Sequence, residues 1–158
     1  MAKGRIGTLI KIATVAGPTI YTLVTKYGPE LRRLKDNNPE AFDRVTGTVK
    51  SMTGIGKNSV PTRGVKGAEH RIKELREQVT YLRDSADDAY ERDRATLWGA
   101  QLDKLEGGLR LVRSMGEEAR AAELERVNAR LDRLAGDVLS AYIDELDEDA
   151  RKGTAPRD

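Results

Sequence analysis

The chain contains no cysteine, a single histidine, one phenylalanine, one tryptophan, and no acidic residue before Glu30. The missing cysteines exclude disulfides, thiolate metal sites and cysteine nucleophiles, and fit a reducing compartment. One imidazole cannot supply the paired ligands of a histidine metal centre. With so few aromatic rings, a thick multilayer core is disfavoured, whereas helix-on-helix packing needs only Leu, Val, Ile and Ala. A long hydrophobic run is also lacking. The most apolar stretch, residues 6–24, is diluted by threonines, Gly7, Gly17, Pro18 and Lys11, and so falls short of the roughly 20 apolar residues of a spanning helix. Lys11 also interrupts a signal-peptide pattern and no A-x-A cleavage motif follows, so this segment is expected to remain in the mature protein.

What the sequence has in quantity is charge, distributed unevenly. Residues 1–67 carry twelve Lys/Arg against four Asp/Glu, a net of +8, and residues 68–158 carry sixteen against twenty-two, a net of −6. The overall +2 therefore conceals a basic N-terminal third joined to an acidic, Arg/Glu/Leu-patterned remainder. Such asymmetry points to a surface-binding arm on a helical body.

Within the basic third, Ile6, Ile10, Ala13, Gly17, Ile20, Val24, Tyr27, Leu31 and Leu34 alternate steps of four and three, the spacing of one helical stripe. Pro18 and Pro29 make this a restarted rather than a continuous helix. An amphipathic region over residues 1–36 is predicted to lie in a membrane interface, with Ile10, Ile20, Val24, Leu31 and Leu34 inserting and Lys11, Lys26, Arg32 and Arg33 contacting head groups. Asn38-Pro39-Glu40 reads as a cap, a first-turn proline and a dipole-complementing acid. It opens a short helix over residues 37–52 with Phe42, Val45, Val49 and Met52 on one side. Residues 53–67, rich in glycine and basic side chains, read as a linker.

From residue 68 the pattern resembles a coiled coil, with Ile72, Leu75, Val79 and Leu82 at heptad spacing. The frame falters near Asp93 and Thr96, then resumes on Trp98, Leu102, Leu105, Leu109 and Val112, which suggests a stutter or a break near Gly99. Ser114-Met115-Gly116 marks a turn before a last helix carrying Leu124, Val127, Leu131, Leu134 and Val138. The expected fold is all-α: basic amphipathic N-terminal helices, a flexible linker, and over residues 68–147 an antiparallel coiled-coil hairpin or three-helix bundle. Residues 148–158 read as a disordered tail, because Asp144, Glu145, Asp147, Glu148 and Asp149 oppose the helix dipole at a C-terminus. A first helix of residues 68–113 would outreach a partner of residues 117–147, leaving apolar surface for another copy or another protein. The predicted association interface is Ile72, Leu75, Val79, Leu82, Leu124, Val127, Leu131, Leu134 and Val138.

Candidate chemistry is thin. The run from Thr53 to Ser59 superficially resembles a phosphate loop, but Ser51 stands at the first glycine position and Asn58 at the hydroxyl position, which removes the backbone cradle and the magnesium ligand. His70 lies one turn before Glu74 and has no second imidazole. Asp84, Asp87 and Asp88 lack an EF-hand loop or a facing acidic motif. No catalytic residue, metal or cofactor is assigned. Composition and pattern lead to a non-enzymatic interaction protein, peripheral to the cytoplasmic face of a membrane, with an anionic membrane surface and a protein partner or itself as partners. The same N-terminal charges, extended by Lys50, Lys57, Arg63 and Lys66, support the alternative of nucleic-acid binding through a basic arm.

Overall fold

The computed structural model describes residues 25–53 and 64–154. Among them are five helices and no strand: α1 (Gly28–Asn37), α2 (Pro39–Thr53), α3 (Gly64–Ser85), α4 (Ala89–Val112) and α5 (Glu117–Thr154). The all-α expectation holds.

Asn38 both closes α1 and opens α2. Its N–H donates to the Leu34 carbonyl at 2.7 Å, and its side-chain oxygen accepts from the Ala41 N–H at 3.1 Å. With Pro39 contributing no N–H of its own, one residue satisfies an orphaned backbone group at each of two helix ends. The sharp reversal lays Leu31 and Leu34 of α1 beside Ala41, Phe42 and Val45 of α2, all buried. Val49 and Met52 lie outside the described side chains.

The expected break near Gly99 is not there. α4 runs straight through Gly99, and the interruption falls at residues 86–88. Its cause is local: Asp88 takes an extended conformation and its carboxylate accepts the Glu91 N–H at 2.8 Å, while the Glu91 carboxylate accepts the Asp87 N–H at 2.9 Å. This reciprocal arrangement is a variant of the capping box, the signature of a helix N-terminus.

The polar contacts fix the helix directions. Arg76 bonds Asp103 at 2.6 Å and Glu106 at 2.9 Å, and Arg113 pairs with Glu69, so α4 returns antiparallel to α3. Arg71 pairs with Asp132, Tyr81 meets Tyr142 edge-on at 5.4 Å, and Lys152 reaches Asp87 at 2.9 Å, so α5 runs parallel to α3. α3, α4 and α5 each pack against the other two, while α1 packs on α5 and α2 on α3. A single apolar core runs from Tyr27, Leu31 and Phe42 through Leu75 and Leu102 to Leu139, Ile143 and Leu146.

The length relation is therefore the reverse of the expected one. The first long helix is cut in two, and the last is the longest at 38 residues, about 57 Å at 1.5 Å per residue. Helix also continues through residues 148–154, where the sequence pattern predicts a disordered tail. The acids there have partners: Arg33 and Arg151 flank the buried Asp147, Tyr81 donates to Asp149, and Lys152 bridges Glu148 and Asp87. Arg151 and Lys152 in the last turn also complement the helix dipole.

Candidate interaction surfaces

The structure divides the residues assigned to membrane binding. Ile10, Lys11, Ile20 and Val24 lie outside the described residues. Leu31 and Leu34 are 1% and 0% exposed, inside the core. In this fold they have no face to offer a bilayer, which corrects their assignment as inserting residues. Their stripe is covered by protein: α1 docks on α5, where the Tyr27 hydroxyl donates to Asp144 at 3.4 Å and Arg33 approaches Asp147 at 3.6 Å. Lys26, Arg32 and Arg33 stay exposed. The Lys26 ammonium lies 5.5 Å from the Tyr27 ring centre, and Arg33 is shared with Glu30.

The predicted association interface receives the same correction. Ile72, Leu75, Val79, Leu82, Val127, Leu131, Leu134 and Val138 are buried core residues, and Leu124 packs partly buried against them. The heptad stripes are apolar faces, as expected, and α3, α4 and α5 use them on one another. What remains outside is a second stripe that the stronger pattern hides. Tyr90, Leu97 and Leu111 are the exposed large hydrophobic residues of the described chain, at 71%, 59% and 62% exposure. All three lie on α4, seven and fourteen positions apart. The signal was present in the sequence as a second heptad frame within residues 89–112.

Beside that stripe, α4 and α5 enclose an open groove of about 350 Å³ lined by Gln101, Lys104, Leu105, Arg130, Leu134 and Arg133, with Asp137 at its edge. Leu105 and Leu134 supply apolar walls, and cations dominate the rim. At the other end, the acidic C-terminal part of α5 bounds a small polar cleft of about 50 Å³ with Glu91, Arg94, Trp98, Asp144, Glu145 and Glu148. The Arg94 guanidinium lies 5.0 Å from the Trp98 ring centre.

Partial burial raises the Asp144 carboxyl above the ordinary carboxylate value, against the lowering effect of the Tyr27 hydroxyl. Glu145 is raised for the same reason, assisted by Asp149, Glu91 and Glu148. Burial and the neighbouring Asp149 push the Tyr81 hydroxyl up to about 12. These shifts come from closing the end of the helical body over carboxylates.

Of the remaining candidates, His70 lies in α3. Asp88 is a helix cap, Asp87 pairs with Lys152, and Asp84 pairs with Arg83, so the three aspartates do not converge. No group of three or more His, Asp or Glu side chains suited to a metal ion occurs among the described residues. The glycine-rich stretch of residues 54–63 lies outside them. No helix among the described residues is long and apolar enough to cross a membrane. No known family model matches this chain, and no curated protein or solved structure shows significant similarity to it.

Proposed function

We propose that this chain is a non-enzymatic helical interaction protein, held peripherally at the cytoplasmic face of a membrane by charge on its N-terminal side. Its body, a three-helix bundle with coiled-coil-like stripes closed at one end by α1 and α2, would be left free to associate. The observation that supports this reading best is the orientation of α1. Its leucines face inward, while Arg32 on it and Lys26 just before it are exposed, directly after a segment whose Lys3, Arg5 and Lys11 meet no acid before Glu30. A docked helix holds its cations in fixed positions, so they can meet a charged surface without ordering a flexible arm first.

Each basic residue close to an anionic bilayer contributes about 1 kcal/mol. Five such residues would give an attraction on the order of 5 kcal/mol, a Kd of roughly 0.2 mM, that fades with salt over a Debye length of about 8–10 Å. Apolar insertion then falls to the N-terminal segment, with Ile10, Ile20 and Val24, rather than to α1.

Reversing Lys26 and Arg32 together (Lys26→Glu/Arg32→Glu) should weaken co-sedimentation with phosphatidylserine vesicles by at least about tenfold. Circular dichroism should be unchanged, since both side chains are exposed. Undiminished vesicle binding by this variant would sink the role given to α1. Binding to duplex DNA or RNA, with none to vesicles, would assign the same charges to the nucleic-acid alternative.

A further inference from the structure

Two features of α4 are not explained by the core, although the Arg94 guanidinium lies 5.6 Å from the Tyr90 ring centre. The first is the exposed Tyr90, Leu97 and Leu111 stripe. The second is Gly107-Gly108, in the interior of a 24-residue helix, where glycine is the least favourable residue after proline. A Cβ added at either glycine would meet nothing within 4 Å, so internal packing does not require them. Glycine on an exposed helical face suits the close approach of another backbone or of a large side chain.

The stripe also has a charge pattern. Lys104 continues the series of Tyr90, Leu97 and Leu111 at seven-residue steps, and Asp93, Ala100 and Gly107 lie three residues further round the same face. All of these are exposed. Among the described residues neither Asp93 nor Lys104 forms an ion pair, although their neighbours Asp103 and Arg110 do.

We propose that α4 is a dimerisation face and that its occupant is α4 of a second copy, packed antiparallel about a twofold axis near residues 98–99. In that register large positions meet small ones, as antiparallel heptad helices require. Leu97 packs on the partner's Ala100, and Tyr90 fills the notch at the partner's Gly107. Asp93 comes opposite the partner's Lys104, and the symmetry repeats each contact, so two interchain ion pairs form. At the flanks Thr96 faces the partner's Asp103, and Arg94 faces the partner's Gln101, with no like charges opposed. A parallel pairing would instead set Lys104 against Lys104 and Asp93 against Asp93, which repels. The antiparallel contact extends over residues 90–107, about 26 Å of helix, and leaves Leu111 outside it.

The proposal does not depend on membrane attachment and is tested without lipid. Sedimentation equilibrium of the full chain from low to high micromolar concentration should show a reversible rise from monomer to dimer mass. Leu97→Asp should keep the helical spectrum, because the side chain is exposed, yet remain monomeric throughout. Lys104→Glu should weaken the dimer at least about tenfold by opposing like charges, and Asp93→Lys/Lys104→Glu should restore it to within a few-fold.

The chain has no cysteine, so single cysteines report orientation. With a short bismaleimide, Leu97→Cys should cross-link copy to copy. Leu111→Cys should not, since its mate would lie about 38 Å away along the axis. A monomer at every concentration, a dimer that survives Leu97→Asp, a double variant that stays weak, or cross-linking at both positions would each overturn the proposal.

Discussion

Replacing Leu34 by alanine separates the two roles its stripe can play. If α1 were a membrane helix loosely tethered to the body, its apolar face would carry little of the folded protein's stability in solution. In the structure Leu34 is fully buried, in a core shared by α1, α2 and α5. Truncating a leucine in such a position removes its transfer free energy and leaves a cavity, a loss of about 2–5 kcal/mol. Against a total stability on the order of 5–15 kcal/mol this is a large fraction. At roughly 2–4 °C per kcal/mol for a chain of this size, the melting temperature should fall by about 4–20 °C.

Urea denaturation followed by far-ultraviolet circular dichroism and by Trp98 fluorescence would measure the loss in two places at once. Trp98 is buried on α4, a helix other than those that enclose Leu34. Because one core links all five helices, both probes should shift together. Arg32→Ala, one helical step from the buried face and exposed, should change stability by no more than about 0.5 kcal/mol. A loss below about 0.5 kcal/mol for Leu34→Ala would refute the docking of α1.

Two further outcomes follow from local chemistry. Asp88→Ala removes the side chain that accepts the Glu91 N–H at the start of α4, and should cost about 1 kcal/mol in urea unfolding; a neutral result would mean that the α3–α4 break is held by packing rather than by its cap. The acidic end should respond to pH. Asp144 and Glu145 have carboxyls raised above the ordinary value in the folded state, so the folded chain binds these protons more tightly than the unfolded one. Their ionisation therefore subtracts stability as pH rises through the raised values, and the penalty disappears below the ordinary carboxylate range. Asp144→Asn/Glu145→Gln should melt above the wild type at pH 7, with the gap closing near about pH 4; a variant less stable than wild type at pH 7 would reverse the assigned cause.

The parts of this fold that were legible in the sequence are those decided within a few residues. Asn38-Pro39-Glu40 announces a helix start because the cap and the proline act on their own backbone, and the structure forms it there. The stripes of Ile72 to Leu82 and Leu124 to Val138 show which faces are apolar, and those faces are covered. Periodicity does not say by what: a stripe has the same spacing whether lipid, a second chain or a neighbouring helix covers it. This is why Leu31 and Leu34 read as membrane residues and Leu131 and Leu134 as a partner interface.

Two signals present in the sequence admit more than one meaning. Asp88-x-x-Glu91 is a helix start, yet with Asp84 and Asp87 nearby it reads equally as an exposed carboxylate face. Tyr90, Leu97 and Leu111 form a second frame on a helix whose first frame is stronger. The ordered end of α5 was not legible at all, because Arg33, Tyr81 and Asp87, which hold its acids, come from elements distant in sequence.

The most direct measurement of the functional account is flotation of the full chain with vesicles of phosphatidylcholine alone and of phosphatidylcholine with phosphatidylserine, across a salt titration. Charge-held peripheral attachment predicts flotation on the anionic vesicles only, declining steadily as salt rises. Equal flotation on both compositions, or no flotation on either, would contradict it.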